Sequence, residues 1–244
     1  MDISIVIPCY RDAPHLERNV KEILAVLEAT RWDYELILVD DRSPDDCRRI
    51  IDKLIADHPG HPIRKIFHEE NTGRGQAVND GLHAATGTVA GFLDIDLEVA
   101  AHYIPLMVRS VLGGSDVAIG RRVYKLRWNI LHRALMSRGY HWLSNRILGM
   151  RLEDTESGYK FFRREKILPV VDSIEDRRWF WDTEVVVRAV LAGLKVTFEP
   201  VLFIRQPDKA TTVRLFGDSL DYLRNLWRFR RTVRQSRPPS HPDA

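Results

Sequence analysis

Two short acidic runs in this 244-residue chain are placed to do chemistry. Asp94, Asp96 and Glu98 alternate with Ile95 and Leu97, directly after the apolar run 89–93. On an extended segment, side chains at i, i+2 and i+4 point the same way. The spacing therefore predicts three hard oxygen ligands gathered together, which suits Mg²⁺ or Mn²⁺ carrying phosphates. Such a cation would bridge a diphosphate and neutralise charge growing on a leaving group. Asp40 and Asp41 follow a second apolar run, 35–39; a turn with a helix cap is the plain alternative for that pair. A third feature is basic. Residues 121–152 hold eight Lys and Arg and no Asp or Glu. Surface charge is normally mixed in sign, so this stretch fits an anionic ligand or an anionic membrane surface, with a solvated helix face as the other reading. The net charge of +3 conceals the asymmetry: residues 1–100 carry 11 basic and 19 acidic side chains, residues 101–244 carry 26 and 15.

The elements that must position these groups alternate. Residues 3–7 read as a strand stopped by Pro8, and 16–27 carry Leu16, Val20, Ile23, Leu24 and Leu27 at helical spacing. Residues 35–39 and 89–93 are near-continuous apolar runs, the pattern of strands covered on both faces. Ser43 with Pro44 predicts the start of a helix. A weaker strand at 63–67, a helix at 75–85 ended by Gly87, and a strand at 117–119 follow. This β-α-β-α order predicts an α/β fold with a doubly wound, mostly parallel sheet flanked by helices, binding its ligand at the carboxyl ends of the strands. The second half predicts a long amphipathic helix at 125–148, a helix at 182–191, short strands at 196–198 and 201–204 around Pro200, and a terminal helix at 214–234. The Pro- and Ser-rich residues 236–244 read as disordered.

The composition is that of a soluble globular protein. Cys9 and Cys47 do not make a disulfide framework, which favours a reduced compartment. No signal peptide opens the chain and no run of about 18 apolar residues occurs, so the expectation is a cytoplasmic protein, peripheral on the cytoplasmic membrane face at most. Aromatic residues are not interleaved with the basic run in a nucleic-acid module pattern, so no nucleic-acid partner is expected.

Four motifs occur in order: Val6-Ile7-Pro8-Cys9-Tyr10, Val39-Asp40-Asp41-Arg42-Ser43, Asn71-Thr72-Gly73-Arg74-Gly75 and Asp94-Ile95-Asp96-Leu97. Over residues 2–212 the chain resembles family 2 of the inverting glycosyltransferases, with the GT-A fold. Within it, the chain is most similar to the dolichol-phosphate mannose synthase and polyprenyl-phosphate glycosyltransferase branch. The resemblance implies a GT-A domain over 1–212, with a nucleotide-sugar half (1–100) and an acceptor half (101–212), and a helical C-terminal extension. It implies donor binding by Pro8, Tyr10, Asp12, Asp41, Arg74, Gly75, Asp94 and Asp96, with Asp12 standing where the family more often has Glu and Asp41 reading the base. It implies metal binding by Asp94, Asp96 and Glu98, the last replacing a familiar Gln. Gly120-Arg121-Arg122 matches Gly-Ser-Arg, which makes Arg122 an acceptor-phosphate arginine. Arg133, Ser137 and Arg205 match further acceptor positions. Asp154-Thr155-Glu156-Ser157-Gly158-Tyr159 and Trp179-Phe180-Trp181-Asp182-Thr183-Glu184 match later segments, with Gly158 in a turn under the site.

The mechanism so implied is one in-line displacement at the anomeric carbon, with Asp94, Asp96 and Arg122 as its catalytic groups. The donor is a nucleotide sugar, GDP-mannose or a UDP-hexose; the acceptor is a polyprenyl phosphate; the cofactor is Mg²⁺ or Mn²⁺. Two rivals stay open. One is the same fold acting on a soluble hydroxyl acceptor, with Asp182 or Glu184 as base or, alternatively, as helix caps. The other is a nucleotide-sugar-binding module without turnover. Membrane access falls to the basic amphipathic helix at 213–235, where Leu215, Leu220, Leu223, Leu226, Trp227 and Phe229 mix with Arg214, Arg224, Arg228, Arg230, Arg231 and Arg234. Such a helix either lies on an anionic bilayer or packs on the domain.

Overall fold

The computed structural model describes residues 1–124, 146, 149–150, 152–205 and 217–236. Its strands are β1 (Ile3–Cys9), β2 (Tyr34–Asp40), β3 (Ile63–Phe67), β4 (Val89–Leu93), β5 (Val117–Tyr124), β6 (Tyr159–Arg163) and β7 (Val196–Phe203). Its helices are α1 (Ala13–Ala29), α2 (Cys47–Asp57), α3 (Arg74–Ala84), α4 (Ile104–Leu112), α5 (Arg164–Val171), α6 (Trp181–Leu191) and α7 (Gly217–Ser236). The strands form one sheet in the order β3-β2-β1-β4-β6-β5-β7. β1 runs parallel to β2 and β4, β2 to β3, and β5 to β7; β6 is antiparallel to both β4 and β5.

Alternation along β1 explains the three layers. Ile3, Ile5 and Ile7 meet Leu16, Val20 and Ile23 of α1, Ile51 of α2 and Met107 of α4 on one face. Val6 meets Ala77, Val78 and Leu82 of α3 on the other, where Val185 and Val186 of α6 join the same core. A strand apolar on both faces needs such double cover, as its sequence implies. A smaller cluster fastens α7 to α6: Leu226, Phe229 and Val233 are buried with Phe180 and Val187, and the Phe180 and Phe229 rings stand 5.7 Å apart. The outward face of α7 keeps Arg224, Trp227, Arg228 and Arg231 exposed. Of the two readings of this helix, the packed one accounts for its buried apolar residues. No helix among the described residues is long and apolar enough to cross a membrane.

The structure corrects several local expectations. β1 continues through Pro8 to Cys9, pairing with β2 throughout, because the ladder to β4 has already ended at Val6. α2 begins at Cys47, not at Ser43–Pro44, because Ser43 N–H turns back to the Asp40 carboxylate. The two short strands around Pro200 are one strand, β7, which lies at the sheet edge with β5 as its strand neighbour, adds a single bridge from Phe203 to Val99, and so tolerates a proline. α4, β6 and α5 have no counterpart among the elements expected from sequence. Of the predicted helix at 125–148, all but Arg146 lies outside the described residues, as do 206–216 and the tail beyond Ser236.

Close approach of α3 to β1 depends on Gly81: a Cβ there would lie 2.2 Å from Val6 Cγ1. Gly60, in the turn after α2, is different: a Cβ there would meet nothing within 4 Å. Gly81→Ala is expected to destabilise the protein by about 1–3 kcal/mol, as overpacking does. Gly60→Ala should stay within about 0.5 kcal/mol of the parent. Urea unfolding of both variants checks the contrast.

Candidate functional site

The strand order reverses between β1 and β4, and a parallel sheet binds ligands at such a switch point. The turns leaving β1, β2 and β4 there carry the positive-φ non-glycine residues of the described chain: Arg11 (60°), Arg42 (57°) and Leu97 (51°). Left-handed backbone at such residues costs on the order of 1 kcal/mol or more each and gathers at functional edges. Side chains hold the turns in place. Asp12 accepts Tyr10 N–H at 2.9 Å, Ser43 Oγ accepts Arg11 N–H at 3.2 Å, and Asp45 accepts Ala13 N–H at 3.1 Å. Tyr10 and Asp12 thus share one braced loop, directly after Pro8 and Cys9 at the end of β1. Cys9 and Cys47 lie beneath it; burial pushes the Cys47 thiol up to about 12, which makes it a poor nucleophile.

Asp40 and Asp41 take different tasks. Asp40 is buried, pairs with Arg48 at 2.8 Å and holds the 40–43 turn. Asp41 reaches across to the loop before α3. Its Oδ1 accepts Thr72 N–H (2.7 Å), Thr72 Oγ1–H (2.9 Å) and His68 Nδ1 (2.9 Å), and its Oδ2 accepts Gly73 N–H (2.8 Å). A carboxylate offers about four lone-pair sites, so Oδ2 retains room for one more donor. Gly73 sits at φ 104°, and a Cβ there would lie 2.4 Å from Arg177 O, so both conformation and space demand glycine. Gly75, expected to let the backbone approach a donor, makes room for Trp181, whose Cβ lies 2.6 Å from where a Gly75 Cβ would be.

The carboxylates after β4 do not line up as three. Residues 94–97 form a turn, with Leu97 N–H bonding Asp94 O at 3.2 Å and Leu97 left-handed, so the extended geometry behind that expectation is absent. Glu98 lines a separate groove with Arg18, Asn19 and Tyr103. Among the described residues no three His, Cys, Asp or Glu side chains converge on one metal position. Asp94 is held from one side only: Arg74 Nε and Nη2 both donate to its Oδ1, at 2.9 and 2.7 Å. Its Oδ2 faces Gly158, where a Cβ would intrude to 1.9 Å. That oxygen has no hydrogen-bond partner among the described residues. An open carboxylate oxygen, with Asp96 two residues on, fits a cation that completes its shell with water and substrate phosphates, as Mg²⁺ does; it does not fit an all-protein cage.

Arg74 also donates Nη1 to Asp182 at 2.6 Å, and Asp182 accepts Lys160 Nζ at 2.6 Å. Glu184 is buried too, accepting N–H from Glu175 and Asp176 and Nε–H from Arg188 at 2.7 Å. Neither carboxylate caps α6, and neither presents an open oxygen to the strand ends. In place of a cap role, Asp182 serves ion pairing and Glu184 fastens the preceding loop.

Arg122, near the end of β5, donates Nε and Nη2 to Asp154, the shortest contact being 2.6 Å, and its guanidinium stands 5.8 Å from the Phe203 ring centre. Burial works against its charge, but the Asp154 carboxylate outweighs burial and holds its pKa above the usual range. Nη1 is left without a hydrogen-bond partner among the described residues. Arg121 pairs with Glu153 at 3.0 Å, Arg205 is exposed beyond β7, and Arg133 and Ser137 lie outside the described residues. Sequence reasoning missed Asp154, Glu156 and Lys160 as site residues; the only signal in their segment is its motif match.

Glu156 Oε2 lies 3.8 Å from Arg122 Nη2. Burial raises its pKa from 4.5 to about 7; Arg122 opposes the rise, and Asp154 and Asp182 add to it. A carboxyl whose folded value is raised binds more protons folded than unfolded, so stability falls as pH climbs from about 4.5 to about 7. Glu156→Gln should remove that decline: matched to the parent at pH 4, more stable at pH 8. Thermal unfolding at the two pH values measures it.

Residues 4–168 match the profile of the family described as glycosyl transferase family 2. The chain is 32% identical over 243 residues to glycosyltransferase AglD of Haloferax volcanii, covering 96% of this chain and 38% of that protein. It is 30% identical over 181 residues to the dolichol-phosphate mannosyltransferase of Pyrococcus furiosus, covering 72% and 49%. It is 26% identical to the human dolichyl-phosphate beta-glucosyltransferase, covering 75% and 61%. The chain thus spans less than two thirds of the length of these curated relatives. Among solved structures, glucosyl-3-phosphoglycerate synthase from Mycobacterium tuberculosis with Mn²⁺, UDP-glucose and phosphoglyceric acid superposes with TM-score 0.71 at 18% identity, covering 98% of this chain and 81% of that one. That likeness shows the GT-A architecture expected from the four motifs. By the extent of the profile match and the relatives at 30% identity or more, the chain belongs to glycosyl transferase family 2.

Proposed function

We propose that this protein transfers a sugar, with inversion, from a UDP-hexose or GDP-mannose donor to a polyprenyl phosphate of the dolichyl type, using Mg²⁺ or Mn²⁺. The observation that carries the reading is the open Oδ2 of Asp94, whose other oxygen, Oδ1, is held by Arg74 at the strand-order reversal. The relatives' names support a dolichyl-phosphate acceptor, and the neighbour's bound Mn²⁺ and UDP-glucose support the donor and the cofactor. A cation on Asp94 and Asp96 would supply charge stabilisation for the departing diphosphate. The chain's own residues do the rest. The braced 10–12 loop and the Asp41-tied 71–73 loop shape the nucleotide end, with Oδ2 of Asp41 able to take one base N–H. Arg74 uses three of its five N–H groups on carboxylates, leaving two for a phosphate oxygen. Arg122 offers its Nη1 edge to the acceptor phosphate. A phosphate is already anionic near neutral pH and needs no strong base, which agrees with Asp182 and Glu184 being committed elsewhere.

The outward face of α7 offers Arg224, Arg228 and Arg231 beside an exposed Trp227, and we assign it to contact with an anionic bilayer on the cytoplasmic side.

Two measurements test these assignments. Labelled UDP-glucose and GDP-mannose are offered separately with dolichyl phosphate in vesicles. One should yield labelled lipid, EDTA should abolish the product, and Asp94→Ala should lower the rate by about 100-fold or more. Glu156→Gln should retain transfer; a loss as large as that of Asp94→Ala would identify a general base and point to a hydroxyl acceptor. In flotation with phosphatidylserine vesicles, replacing Arg224, Arg228 and Arg231 by Ala should weaken binding by about 100-fold, at about 1 kcal/mol per basic residue. Unchanged flotation would remove the membrane assignment.

A further inference from the structure

Lys160 lies in β6, opposite Phe92 of β4 and Ile119 of β5, and its side chain has no exposure. A charged amine in the middle of a sheet is costly unless paired. Its ammonium donates to Asp182 Oδ1 at 2.6 Å and to the Ser157 carbonyl, and stands 5.4 Å from the Phe92 ring centre. Arg74, on the other oxygen of Asp182, stands 5.3 Å from the same ring. The four groups form an alternating chain running outward from the core: Lys160⁺, Asp182⁻, Arg74⁺, Asp94⁻. Its inner end is fully buried, and its outer end, Asp94, is 39% exposed. Burial pulls the Lys160 pKa down and Asp182 pulls it back up.

Charge balance gives Lys160 a task. Asp182 is buried and must be neutralised locally. With Lys160 on Oδ1, one Nη1 bond from Arg74 suffices on Oδ2, and the Nε/Nη2 edge of the guanidinium is left for Asp94. Without Lys160, Asp182 has only Arg74, and a carboxylate draws a guanidinium into a two-bond fork. Arg74 would then turn from Asp94 toward Asp182. We infer that Lys160 is a positioning residue for the donor site: by neutralising Asp182 it keeps Arg74 turned to Asp94, and so keeps Oδ2 of Asp94 aimed at the proposed cation. The inference rests on the metal reading above.

The test uses Lys160→Met, Lys160→Gln and the double variant Lys160→Met/Asp182→Asn. Gln retains an N–H donor without the charge, so it carries the experiment if the Met variant does not fold. Mn²⁺ binding is followed by the loss of the free-ion EPR signal, and the variants are crystallised. Either single variant should bind Mn²⁺ about 10- to 100-fold more weakly, the usual effect of removing a supporting partner, with Arg74 displaced from Asp94. The double variant removes the competing charge on residue 182. It should recover Mn²⁺ affinity and return Arg74 to Asp94, a rescue that a purely structural role for Lys160 does not produce. A folded single variant with Arg74 still on Asp94 and unchanged Mn²⁺ affinity overturns the inference, as does a folded double variant without rescue. If the parent protein binds no Mn²⁺, the metal reading fails, and the position of Arg74 in the variant crystals still decides the role of Lys160.

Discussion

One guanidinium ties this molecule's site together. Arg74 opens α3 and reaches Asp94 after β4 with one edge and Asp182 at the start of α6 with its remaining nitrogen. A planar fork meets the two carboxylates with separate edges in a fixed geometry, where a lysine would offer a flexible point charge. The bridge joins residues far apart in the chain, 20 positions in one direction and 108 in the other. Residue 100 is the expected boundary between the two halves of the domain. The sheet runs through it, and so does this pairing.

Paired carboxylates after buried strands look alike in sequence and act differently in the fold. Asp40 serves its own turn, Asp41 fastens the loop before α3, and Asp94 keeps one oxygen open. Open groups are costly to keep where a folded chain could pair them, and here the pairing is blocked by shape. Gly158 lies directly against the Asp94 carboxylate and offers it no donor side chain. The left-handed residues Arg11, Arg42 and Leu97 belong to the same edge: its turns are bent away from their easy conformations, and the one at Arg11 is held there by the hydrogen bond its N–H donates to Ser43 Oγ of a neighbouring loop.

The outer helix shows how one amphipathic pattern is divided. Leu226, Phe229 and Val233 give about 1.5–3 kcal/mol each to burial against α6, by the usual value for an apolar side chain. The arginines and Trp227 are left outward as a consequence, since residues one apart on a helix do not share a face.

The sequence alone determined β1, β2 and β4, because both-face burial writes itself as continuous apolar runs between helical periods, while β3, half exposed at the sheet edge, gave a weaker signal. It also determined the carboxylates at the strand ends and the aspartates that close β4. What only the tertiary structure decided are the partners. β6 was invisible because an antiparallel strand inserted between β4 and β5 takes its register from its neighbours, and its buried lysine breaks the apolar pattern that would have announced it. The course of β7 through Pro200 depended on its lying at the sheet edge, which no local signal states. Likewise the three-carboxylate alignment failed on one left-handed residue, Leu97, and the assignments of Asp182, Glu184 and Gly75 turned on contacts with residues far along the chain. Periodicity records which face a residue shows to the core; it carries no record of which distant charge it will meet there, because that is settled only when the layers close.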